Sequence, residues 1–135
     1  MHVRRAIAVA SIGALTLLSG CGGGGGIGVT LADFSVTPAE TSTAAGDVTF
    51  DVTNDAEQTH EFVVIKTDLA EDQLPLDDQG VDEEADGVEV VDEIEDVEAG
   101  SEQSLTTTLD SGSYVLICNL PGHYAQGMHA AFTVD

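Results

Sequence analysis

The sequence predicts an all-β sandwich. Short runs with apolar residues at alternate positions recur along the chain, turn residues separate them, and no stretch carries a heptad repeat. The length of 135 residues suits one domain rather than two.

The elements follow in order. Val29 and Leu31 alternate with polar partners, and Phe34 and Val36 carry that segment on to Pro38. Val48, Phe50 and Val52 alternate with Thr49, Asp51 and Thr53, the pattern of a strand with one face buried, between turn signals at Gly46-Asp47 and Asn54-Asp55. Phe62 to Ile65 is continuously apolar, as expected of a strand covered on both faces. Val88 to Ile94 returns to strand after an irregular stretch. Leu105 to Leu109 is Thr-rich and β-prone, Asp110-Ser111-Gly112 is a turn, Tyr114 to Cys118 is a second apolar strand, and Ala130 to Val134 closes the chain.

The irregular stretch, Asp68 to Gly87, holds 9 acidic residues in 20. Loops of that length are often functional or mobile. Asp82, Glu84, Asp86, Gly87 and Glu93 fall at positions 1, 3, 5, 6 and 12 of a calcium-loop pattern. Position 8 is Glu89 where an apolar residue is expected, and flanking helices are absent, so a solvated acidic surface is the better reading.

Charge narrows the function further. There are 25 Asp and Glu against 3 Lys and Arg, a net charge of −22. Arg4 and Arg5 lie at the N-terminus, leaving Lys66 as the one strong base beyond them. Nucleic acid and anionic lipid both need clustered cations, so an electrostatic grip on either is excluded. Arg4 and Arg5 precede the 13 apolar-rich residues from Ala6 to Leu18, too short to span a bilayer. Leu18-Ser19-Gly20-Cys21 then resembles the lipobox of a lipoprotein signal. That resemblance implies a signal peptide over 1–20, a lipid on Cys21, a Gly-rich tether through residue 28 and a folded domain over 29–135. The protein is then exported and anchored to the outer face of the cytoplasmic membrane. Sec and twin-arginine export both stay open, as does an ordinary secretory site with an unmodified Cys. Cleavage removes both arginines and no acid, so the charge steepens to −24. Cys118 is left as an unpaired thiol in an oxidising compartment.

Around that thiol the spacing becomes specific. Cys118-Asn119-Leu120-Pro121-Gly122-His123 continues to Gly127-Met128, a Cys-x4-His-x4-Met run joining two strands. A thiolate, an imidazole and a thioether suit copper better than zinc or calcium. A fourth ligand has to come from elsewhere. His60 is the candidate, because His2 leaves with the signal and His129 directly follows Met128, where an extended chain turns it the other way. A trigonal His₂Cys plane with a long axial Met lies between the geometries of Cu(I) and Cu(II), so little has to move when an electron arrives. Pro121 and Gly122 pin the loop, and Leu120, Tyr124 and Ala125 would keep water from it.

The segment from Gly112 through Cys118 and His123 to Met128, with Thr59-His60-Glu61-Phe62 upstream, resembles the cupredoxins, the blue copper proteins. The loop is most similar to those of the rusticyanins and sulfocyanins, while plastocyanin-like loops place Cys and His closer together. The resemblance implies a cupredoxin-like Greek-key β-sandwich with an acidic insertion, and one type 1 copper held by His60, Cys118 and His123 with Met128 axial. The implied function is a monomeric, membrane-tethered electron carrier between respiratory partners such as a c-type cytochrome or terminal oxidase. Two departures stand out: Glu61 occupies the position where many cupredoxins have an Asn that ties the ligand loops, and the acidic run from Asp68 is outside the family pattern. An extracytoplasmic copper-delivery or copper-storage protein is the alternative, although such proteins are rich in Met and His. An enzyme is not expected, because the site has no open position for substrate and no histidines remain for further metals. The acidity reads either as steering toward a basic partner or as halophilic solubility. The two conflict, since the Debye length falls to about 3 Å at 1 M salt.

Overall fold

The computed structural model describes residues 25–135; the expected signal segment and Cys21 lie outside them. Nine strands run in chain order: β1 (Ile27–Ala32), β2 (Ser35–Pro38), β3 (Ser42–Thr43), β4 (Gly46–Asn54), β5 (His60–Lys66), β6 (Glu89–Val97), β7 (Glu102–Leu109), β8 (Gly112–Ile117) and β9 (His129–Val134). They form two sheets, ordered β2-β1-β4-β7 and β3-β9-β8-β5-β6. β1 pairs parallel with β4, and β3 parallel with β9; the other pairings are antiparallel. The expected all-β sandwich is therefore present.

Two details differ from the sequence reading. The first strand takes in Ile27 and Gly28, which pair with Phe50 and Asp51, so the tether expected through residue 28 stops short of them. The segment from Val29 to Pro38 is not continuous but a hairpin folded at Asp33-Phe34, where Phe34 adopts a φ of 66° and stands exposed.

Alternation places Val48, Phe50 and Val52 of β4 against Phe62 and Val64 of β5 and Tyr114 and Leu116 of β8. Phe50 sits at the centre, with edge-on contacts to Phe62 and Phe132 at 5.5 Å each. The opposite faces of β5 and β8 are also apolar. Val63, Ile65, Val115 and Ile117 form a second core with Leu74, Val81 and Tyr124. Leu74 and Val81 belong to the acidic stretch, which thus lies over the outer face of the sheet and covers both strands on their second side. A bridge between Leu76 and Val81 gives it some internal order. The expectation of a merely solvated loop is corrected here: its acids face water, but its aliphatic residues close a core. Exposing Val63, Ile65, Val115 and Ile117 would cost roughly 6–12 kcal/mol, comparable to the whole stability of a domain.

One buried polar residue shapes the approach to His60. Asn54, at the end of β4, is fully buried. Its side-chain amide donates to the carbonyls of Gln58 and Val97 at 2.8 Å each and accepts from the Ala56 N–H at 3.0 Å. These bonds curl residues 54–58 into a tight turn and deliver the chain to β5. Asn54→Ala should cost about 2–4 kcal/mol by urea denaturation, because the buried Val97 carbonyl and Ala56 N–H lose their partner at once, along with the more exposed Gln58 carbonyl.

Candidate metal centre

β5 and β8 pair with Val63 opposite Ile117 and Val64 opposite Leu116. Continued past the strand ends, that register brings the residues around His60 beside those around Cys118. The Glu61 backbone N–H donates to Cys118 Sγ at 3.3 Å, bridging the two segments. His123 comes from the loop after β8, where Gly122, at φ 80°, turns the chain and the His123 N–H donates to the Leu120 carbonyl at 2.9 Å. A single 3₁₀ turn, Tyr124–Gln126, then returns the chain to Met128. The Met128 N–H donates to the His123 carbonyl at 3.2 Å, and its own carbonyl accepts from the Cys118 N–H at 3.1 Å. Gly127 is required between them: it has φ 117°, and a Cβ there would meet the Phe34 carbonyl oxygen at 2.9 Å.

Three donor atoms converge. Nδ1 of His60 and Nδ1 of His123 are 3.2 Å apart, and Cys118 Sγ lies 3.8 and 3.5 Å from them. The centre of that triangle is about 2.0 Å from each atom, within the usual length of a bond from a first-row metal to nitrogen and slightly short of one to sulfur. His60, Cys118 and Met128 are fully buried, while His123 keeps an accessible edge. Thiol, two imidazoles and a thioether, held before any ion pulls on them, fit copper as the sequence anticipated. Among the described residues no second cluster has this geometry. Of the calcium-loop positions, Glu93 is in β6 opposite Val63 rather than closing a loop.

The electrostatics favour the neutral forms of the Cys118 thiol and the His60 ring. Burial pushes the Cys118 thiol up, with the Glu61 and Leu120 N–H groups opposing it. Burial, then the neighbouring His123, holds His60 below its ordinary value, and Asp33 opposes both. Binding a cation here must release the thiol proton.

Several contacts around the site were not marked in the sequence. Asn119 exchanges bonds with the Val81 backbone, accepting at 2.7 Å and donating at 3.1 Å, and donates to Glu83 at 2.8 Å. Tyr124 accepts from the Leu74 N–H at 3.0 Å and donates to the Glu71 carbonyl at 2.7 Å. Both tie the acidic stretch to the ligand loop, and no spacing rule could pair residues so far apart in the chain. Tyr124 thus faces the second core, and Ala125 is exposed; of the three expected water-excluding residues, Leu120 and Tyr124 pack inward. Met128 points inward and His129 lies partly outside, as consecutive strand residues must.

Comparison with known proteins agrees with this geometry. A family model described as copper binding proteins, plastocyanin/azurin family, matches residues 26–135. No curated protein sequence matches the chain. Among solved structures, a reduced auracyanin from Roseiflexus castenholzii is similar at 20% identity and TM-score 0.58, covering 81% of this chain and 95% of its own. Auracyanin B is similar at 25% identity and TM-score 0.57, covering 81% and 87%. Rusticyanin from Thiobacillus ferrooxidans is similar at 19% identity and TM-score 0.53, covering 80% and 76%.

Glu61 yields a pH test. Its carboxyl is pushed up from 4.5 to about 7 by burial and by the charges of Glu93 and Glu83, while the Asn119 backbone N–H favours its charged form. Glu61 links the two ligand loops through its own N–H on Cys118 Sγ. Between pH 4.5 and about 7 the folded state keeps a proton that the unfolded chain has released, so this residue makes stability fall as pH rises across that window. Glu61→Gln should make the copper-free protein more stable than wild type by about 1–2 kcal/mol at pH 8, allowing for half-exposure, with the gap closing below pH 4.5. Paired urea titrations at the two pH values measure it.

Proposed function

The chain belongs to the plastocyanin/azurin family of copper-binding proteins, and on that footing we propose a membrane-tethered type 1 copper protein that carries single electrons between respiratory redox partners. The observation that carries the reading is the convergence of His60 Nδ1 from β5 with His123 Nδ1 and Cys118 Sγ, all within 3.8 Å, beside the loop that also carries the buried Met128. Copper held there by His60, Cys118, His123 and Met128 would supply one-electron chemistry between Cu(I) and Cu(II). His60, Cys118 and Met128 hold their places by burial and backbone bonding, so the same ligand set serves both states with little rearrangement. The Glu61 N–H on Cys118 Sγ draws charge from the thiolate and moderates its donation.

His123 is the proposed electron port. Its accessible edge sits among exposed Pro121, Gly122 and Ala125. Exposed Leu76 shares a groove with Gly122 and Ala125, and the Phe34 backbone adjoins Gly127, so two exposed apolar residues lie on segments next to the ligand loop. Asp77 and Asp78 line the same groove as Leu76. A partner with a small apolar face and basic neighbours fits that surface, and a c-type cytochrome or terminal oxidase is such a partner. The domain acts as a monomer, exported and held at the outer face of the cytoplasmic membrane by a lipid on Cys21. Family membership also agrees with an electron carrier rather than an enzyme.

Copper-loaded protein should be intensely blue and reversibly bleached by reductant, and Cys118→Ser should bind without colour; a colourless wild type at full copper occupancy overturns the reading. Copper lost readily to a mild chelator would point instead to delivery or storage. Separately, Cys21→Ala should move the expressed protein from the membrane fraction to the soluble one, as followed by fractionation and immunoblot.

A further inference from the structure

His60 is fully buried, and its Nε2 has no hydrogen-bond partner. An orphaned imidazole nitrogen in an apolar core costs free energy unless something compensates it. With Nδ1 facing His123 and Cys118, the ring must carry its proton on Nε2 to keep Nδ1 free as a donor. Facing Nε2, at 3.8 Å, is Oδ1 of Asp33. Asp33 lies at the tip of the β1–β2 hairpin, where Phe34 takes its positive φ, and the same Oδ1 accepts from Gln58 Nε2 at 3.1 Å. Two turns that are distant in the chain thus hold one carboxylate over the back of a ligand. Its side chain is 52% exposed, while the ring it faces is dry.

We propose that Asp33 is the positioning residue for His60: its carboxylate fixes the ring with the proton on Nε2 and, as the negative charge behind a copper ligand, favours the oxidised over the reduced site. The proposal rests on the copper reading above, but its first consequence concerns the metal-free chain. A charged acceptor behind an imidazole raises the basicity of the other nitrogen and selects the tautomer that can bind metal. A positive charge on the far side of the ring is then stabilised more in the oxidised state, which has one charge more.

Four variants in the full-length protein test this. In metal-free Asp33→Ala, the ¹⁵N shifts of His60 should change from a single Nε2–H tautomer to a mixture, while wild type and Asp33→Glu keep one. In copper-loaded Asp33→Asn, which keeps an acceptor but removes the charge, the ratio of Cu(II) to Cu(I) affinity should fall about tenfold, a rise in potential of about 59 mV for one electron. Asp33→Glu should restore most of it. Asp55→Asn removes an equal charge from the same end of the sandwich, where the Asp55 N–H bonds the Leu31 carbonyl, and should change the ratio less than twofold. An unchanged His60 tautomer in a folded Asp33→Ala overturns the positioning role whatever the metal. An equal shift for Asp55→Asn and Asp33→Asn overturns the tuning role and leaves only net charge. Failure of wild type to take up copper overturns the function reading and leaves the tautomer experiment standing.

Discussion

The antiparallel pairing of β5 with β8 is the constraint on which the site depends. It holds Val63 opposite Ile117, and both strands are apolar on both faces. A slip of one residue would turn Cys118 toward the outer face and drive Ile117 into the space between the sheets. The register is therefore protected by two cores rather than one. Past the strand ends the ladder continues in altered form, with Cys118 Sγ accepting the Glu61 N–H in place of a carbonyl oxygen. The metal ligands hang from the end of a ladder that is rigid for reasons of packing alone, and that is why they can face one another without a metal to gather them.

The acidic stretch takes part in the same constraint. Its carboxylates make it look dispensable, yet Leu74 and Val81 complete the second core and Asn119 and Tyr124 bind its backbone from within the ligand loop. Charge and packing are divided between alternate parts of one segment. A solvated exterior faces outward, and a small number of aliphatic residues hold the outer wall of the copper loop in place. Glu61 and Glu93 both hold their protons more tightly than usual, through burial first and then through the like charges that gather nearby.

Much of the fold was legible because periodicity reports which face of a strand is buried. Val48 to Val52, Phe62 to Ile65 and Tyr114 to Cys118 all lie in or directly beside strands of the structure, and the last two are covered on both sides as their unbroken apolar runs suggested. The ligand loop was legible because Cys118, His123 and Met128 are close in sequence, so spacing stands in for distance. His60 could be reached by elimination. Asp33 could not: its approach to His60 depends on a hairpin tip that the sequence marks only by a change of phase, with Val29 and Leu31 at odd positions and Phe34 and Val36 at even ones. The role of Leu74 and Val81 was hidden for a related reason. Leu74 and Val81, seven residues apart among 9 acids, leave no period to read.

The direction of β1 has a further consequence. The strand enters at Ile27 and runs toward Asp33, which lies against the copper end, so six residues of extended chain separate the point of entry from the metal ligands, about 20 Å. On the proposed anchoring, the lipid and the port occupy opposite poles of the domain. Held upright, the molecule offers its port to partners in the aqueous space and withholds it from anything embedded in the bilayer beneath. On that anchoring, exchange with an embedded partner would require the domain to roll over on a leash of the five glycines 22–26, about 12 Å by chain statistics. The length of that leash then acts as a dial on local concentration, setting how the domain's time is divided between the two kinds of partner.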